Sequence, residues 1–153
     1  MTENKVAENK ETISSLNQLL QGEYMAVESF NNFISKVKDD HNVKKTLQEI
    51  QKQHRQNINI LADYIQDLGG RPHENLGMKG TMADMKVSMD LGLKADTEEI
   101  IKKALEGETK GVSMAEKVLR GNLDHKSREL AGEILQKDRS SIDKLNGLLD
   151  AMK

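Results

Sequence analysis

No cysteine occurs in this 153-residue chain. Disulfides, thiolate metal sites and a cysteine nucleophile are therefore excluded, and any metal must be held by nitrogen and oxygen ligands. Proline occurs once, at position 72. No apolar run reaches the roughly 18 residues of a membrane-spanning helix, and the opening segment MTENKVAENKE lacks the apolar core of a signal peptide. A net charge of −2 with both signs interspersed offers no footprint for nucleic acid or an anionic membrane. Also missing are a Gly-rich phosphate loop, a supportable Ser-His-Asp arrangement and an H-E-x-x-H zinc helix, so no nucleotide or flavin cofactor is expected. The expectation is a cytoplasmic protein that acts on neither nucleic acid nor membrane.

What is present is helical. Leu, Lys, Glu, Gln and Ala dominate long stretches, and 36% apolar with 31% charged residues suits one globular domain able to bury a core. The domain is expected over residues 12–153, after a flexible segment 1–11. The first helix is predicted from Glu11–Ser14 to about Lys38. The second has Asp40 as its N-cap and stops at Leu68, before Gly69, Gly70 and Pro72. Residues 71–95 read as a long crossover containing a short helix with a methionine stripe, Met78, Met82, Met85 and Met89, better suited to packing than to a soft ion. The third helix starts at Asp96 or Thr97 and ends near Gly121, and a turn through Asp124 and His125 leads into the fourth.

Each helix carries an apolar seam with steps of four and three residues, and each seam holds an ionisable exception. The first runs Leu16, Leu20, Glu23, Val27, Phe30, Ile34, Val37. The second runs Val43, Leu47, Ile50, His54, Asn57, Leu61, Tyr64, Leu68. The third is Ile101, Leu105, Glu108, Val112, Ala115, Leu119, and the fourth is Ala131, Leu135, Asp138, Ile142, Leu145, Leu149, Met152. The halves also resemble one another: LLQGEYMAV and ALEGETKGV each place a glycine before the seam acid, and EIQKQHRQNINIL lies on EILQKDRSSIDKL with His54 over Asp138. Two antiparallel hairpins joined by a crossover bring Glu23, His54, Glu108 and Asp138 to similar heights in a four-helix bundle.

Three buried carboxylates without a partner would be prohibitive. A cation, protonation of the acids, an internal pair with a His54 imidazolium, or water must compensate. Carboxylates with an imidazole suit iron, manganese or zinc. His41 and His125, after aspartates in turns, read as solvated residues, and Tyr24 and Tyr64 as packing residues.

LLQGEYMAVESF, QKQHRQNINIL and the closing LGGRP resemble ferritin-like proteins of the rubrerythrin type, and more narrowly an uncharacterised bacterial ferritin-like domain family, over roughly residues 12–150. The resemblance implies an all-α ferritin-like antiparallel four-helix bundle. Its dinuclear members carry a glutamate on the first and third helices and Glu-x-x-His on the second and fourth. Glu23, Glu108 and His54 match that pattern. Gln51 stands where the second helix would supply a glutamate, Leu135 holds the corresponding place on the fourth, and Asp138 replaces the second histidine. The resemblance therefore implies a degenerate layer suited to a single metal, with Glu23, His54, Glu108 and Asp138 as ligands and Gln51 as a weak or outer oxygen. An alternative register uses Glu133 and Gln136. Function is expected to be either metal-dependent oxygen or peroxide chemistry or a non-catalytic bundle, structural or interacting, whose polar layer is a metal-free relic. A homodimer is the assembly considered, whereas iron storage would need a shell.

Overall fold

The computed structural model describes residues 3–74 and 96–153, with side chains from Asn9 onward. Helix α1 spans Glu3–Lys36, α2 His41–Asp67, α3 Thr97–Leu119 and α4 His125–Ala151. Among the described residues none is long and apolar enough to cross a membrane. The expected short crossover helix and methionine stripe lie outside the described residues.

Helix α1 corrects its sequence reading, because it begins at Glu3 rather than at Glu11–Ser14 and takes in most of the segment expected to be flexible. The apolar seam begins only at Leu16. Upstream of it, Glu, Lys and Ala continue the helix by intrinsic preference, with no proline or glycine to stop it.

The other ends form as their residues dictate. Asp40 accepts from Val43 N at 3.0 Å, Asp96 from Glu99 N at 2.9 Å and Asp124 from Ser127 N at 2.7 Å, each satisfying an amide that the first helical turn leaves without a partner. Asp96, not Thr97, is thus the cap of α3. At the end of α2, Gly69 takes φ +86°, Gly70 N donates to Ile65 O and Gly69 N to Gln66 O, both at 2.9 Å. This paired closure requires the left-handed backbone that glycine tolerates.

The core consists of two apolar clusters. One gathers Phe30, Phe33 and Val37 of α1, Val43, Leu47 and Ile50 of α2, Ile100, Ile101 and Ala104 of α3, and Leu145 and Leu148 of α4. The other takes the opposite ends: Leu16, Leu19 and Leu20; Leu61, Tyr64 and Ile65; Ala115 and Val118; Ala131, Ile134 and Leu135. Helices α1 and α4 therefore run one way and α2 and α3 the other. Because α2 ends in one cluster and α3 begins in the other, a crossover must join them. The polar layer lies between the clusters.

The fourth seam corrects its sequence reading. Met152 is 39% exposed, while Ile134, Ser141 and Leu148, each one residue ahead of a seam position, are buried. The buried stripe Ala131, Ile134, Asp138, Ser141, Leu145 and Leu148 is itself a repeat of three and four residues, shifted by one at every second position of the predicted seam, so that Ile142 and Leu149 lie half-buried at its edge.

Candidate metal centre

The four exceptions meet. Glu23 and Asp138 are each 5% exposed, His54 and Glu108 3%. His54 lies between two acids: Nδ1 is 2.5 Å from Glu23 Oε2, and Nε2 is 2.5 Å from Glu108 Oε1. Asp138 Oδ1 approaches Nδ1 only to 3.9 Å, too far for a hydrogen bond, and it has no hydrogen-bond partner among the described residues.

Burial opposes a charge on His54. The charge of Glu23, the hydrogen bonds to Glu108 and Glu23, and the charge of Glu108 outweigh it, holding the pKa well above 6.5. Burial likewise pushes Asp138 up to about 8, helped by the charges of Glu23 and Glu108 and opposed by His54. At neutral pH the layer is an imidazolium gripped by two acids, beside a protonated aspartic acid.

One ligand atom each from Glu23, His54 and Asp138 lies within 4.8 Å of the others. That set fits an ion. It supplies two carboxylates and one imidazole, and the unpartnered Asp138 oxygen is the atom a cation would satisfy. Glu108 occupies the opposite ring nitrogen, where a carboxylate fixes the orientation of a ligating histidine.

Gln51 is buried but faces α1, its Nε2 donating to Val27 O at 2.9 Å and to Asn31 Oδ1 at 2.8 Å. Its amide nitrogen ties α2 to α1. Glu133 and Gln136 are exposed, which removes the alternative register, and Leu135 is buried among hydrophobes. His41 and His125 are exposed, the latter 3.4 Å from Glu129. Tyr64 packs in the core with its hydroxyl 2.8 Å from Ser127 Oγ. Half-buried Tyr24 is raised in pKa by burial and by Glu74.

Sequence reasoning placed Asn57 in the seam without a role. It is fully buried, and its Oδ1 accepts from Gln53 at 3.2 Å. A groove between α1 and α3, opening onto the layer, was also missed. Its signal was the glycine before each seam acid, Gly22 and Gly107.

A family model described as Domain of unknown function (DUF2383) matches residues 11–121. The chain belongs to this family. The match includes Glu23, His54 and Glu108 and stops before α4, so Asp138 lies outside it. Comparison with curated protein sequences finds no match. Among solved structures, this DUF2383 protein is similar to the bacterioferritin-related protein of Bacteroides fragilis, described as a dodecameric thioferritin (17% identity, TM-score 0.77, 94% of this chain and 87% of that one). It is also similar to a ferritin-like, diiron-carboxylate protein of Bacillus anthracis (22%, 0.69, 97% and 99%). A third is a DPS protein of Vibrio cholerae, described as a member of the ferritin-like diiron-carboxylate superfamily (14%, 0.76, 94% and 91%). At these identities the likeness is one of fold. The fold is ferritin-like and all-α.

Proposed function

We propose that this DUF2383 protein holds one divalent transition metal ion in its core layer, through Glu23, Nδ1 of His54 and Asp138, with Glu108 orienting the imidazole from Nε2. The observation that carries the reading is the convergence of those three buried ligand atoms within 4.8 Å. Iron is the first choice because two of the structural relatives are described as diiron-carboxylate proteins; manganese and zinc accept similar donors. A bound iron ion would supply oxygen or peroxide redox chemistry. The chain's own part is to present two carboxylates and a nitrogen, exclude bulk water with the flanking apolar clusters, and fix the ring through Glu108. Gln51 contributes by holding α2 against α1.

Elemental analysis of untagged protein from cells supplied with iron, manganese and zinc tests this. Near-stoichiometric metal is expected in wild type, loss in Glu23→Ala and Asp138→Ala, and retention with affinity reduced about 10–100-fold in Glu108→Gln. Metal lost equally from all three variants would make Glu108 a ligand. Wild type purified without metal would favour a second reading, which the double ion pair at His54 supports: a non-catalytic bundle whose layer is a self-paired relic. Light scattering on the same samples separates a homodimer from a storage shell.

A further inference from the structure

Two enclosed side-chain atoms have no hydrogen-bond partner among the described residues, Asp138 Oδ1 and Asn57 Nδ2. The first accepts and the second donates. Buried polar groups are almost always paired, and the seam position of Asn57, with Ile50 and Leu61 buried on either side of it along α2, would take an apolar side chain without leaving a donor unpaired. The two residues stand on facing helices at neighbouring heights. His54 of α2 lies 3.9 Å from Asp138 of α4, and Tyr64 of α2 meets Ser127 of α4 at 2.8 Å, so Asn57 falls between two α2–α4 contacts. It follows His54 by three residues, which makes the two side chains neighbours on one face. Its Oδ1 accepts from Gln53 Nε2 at 3.2 Å. That bond reaches four residues back and turns the amide towards the turn that carries His54.

We infer that Asn57 is a positioning residue for Asp138, its Nδ2 donating to the Asp138 carboxylate when that group holds the ion, an assignment that rests on the metal reading and deepens it. Carboxylates that ligate a metal are themselves hydrogen-bonded, and those outer partners fix their orientation. Glu108 does this for His54 from Nε2. Asn57 Nδ2 is the buried donor left to do it for Asp138 among the described residues. An ionised carboxylate offers about four acceptor sites on its two oxygens, so the amide and the ion do not compete for it. Both groups belong to the chain, and no outside molecule has to enter the core to complete the bond.

Zinc affinity by chelator competition, measured on wild type and Asn57→Leu beside urea unfolding of both without metal, tests the assignment. The expected result is a loss of about 10–100-fold in affinity. The metal-free urea midpoint should stay unchanged or rise, because leucine replaces an unpaired donor. A midpoint that falls together with the affinity would overturn the assignment, since it marks a residue that only supports the fold. A second readout needs no variant. In 15N-labelled wild type, an Nδ2 proton of Asn57 should move downfield on zinc addition and saturate at one equivalent, and a proton that stays in place contradicts the bond. Wild type without zinc affinity removes the metal reading and this assignment together, whereas zinc held equally by wild type and Asn57→Leu removes this assignment alone.

Discussion

At the scale of single residues, His54 supports two buried acids at once. Removing the imidazole leaves Glu23 and Glu108 buried without the partner they share, and breaking a buried pair by deleting one partner costs about 3–5 kcal/mol. His54→Ala is therefore expected to lower the stability of metal-free protein by that order, measured by urea unfolding with a chelator present. Asp138 behaves differently. Among the described residues it has an oxygen without a partner, and burial keeps its carboxyl protonated, so Asp138→Leu exchanges an unsatisfied polar group for apolar packing. The same unfolding experiment should find it neutral or more stable by about 1–3 kcal/mol, although it is expected to lose metal. Equal destabilisation by both changes would contradict the pairing of His54 with Glu23 and Glu108 rather than with Asp138.

At the scale of elements, the two hairpins use the same device. Asp40-His41 and Asp124-His125 each place an aspartate cap before the first helical residue, so Asp40→Ala and Asp124→Ala should cost similar amounts, about 0.5–2 kcal/mol each. The end of α2 is less forgiving. A Cβ on Gly70 would lie 2.8 Å from Ile13 side-chain atoms, and overpacking a branched side chain costs about 1–3 kcal/mol. Gly70→Ala should lower the melting temperature, and Ile13→Ala should restore part of the loss. Asn17 strengthens the same junction, donating to Arg71 O at 3.1 Å and accepting from His73 N at 2.9 Å. At the end of α3, Arg128 donates to the carbonyl of Leu119, an acceptor that the last helical turn leaves open, and to that of Gly121, which also accepts from Leu123 N.

At the scale of the whole molecule, a polar layer between two apolar clusters makes stability depend on protons. Burial holds the folded Asp138 carboxyl up to about 8, against an ordinary 3.8. The folded state therefore keeps a proton that the unfolded chain releases, and this stabilisation, complete below 3.8, is lost as pH rises towards 8. His54 contributes fully below 6.5 and loses its contribution as pH rises through its elevated folded pKa. Both groups act in the same direction. Metal-free protein is expected to lose stability as pH rises from 3.8 towards 8, most steeply above 6.5 where both groups act, by up to about 1.4 kcal/mol per pH unit for each proton involved, as followed by urea midpoints. Metal affinity should rise over the same interval, because the ion displaces those protons. A flat or rising metal-free profile would mean that the layer does not carry them.

The sequence alone determined that four long helices form, the aspartate caps of α2 and α4, the glycine stop of α2, the two-hairpin plan and the meeting of Glu23, His54, Glu108 and Asp138, while the start of α1 and the choice of Asp96 over Thr97 came from the structure. Each follows from local rules: seam spacing assigns a residue to a face, an aspartate before a helix caps it, and paired glycines end one. Only the tertiary structure decided that Glu108 meets the far ring nitrogen of His54, that Gln51 turns to α1 and that one Asp138 oxygen has no partner among the described residues. Those outcomes depend on side-chain direction and on distances between helices, which a repeat pattern does not encode. The groove belongs with them, since a glycine at a helical position reads the same whether a neighbouring backbone or open space lies beyond it.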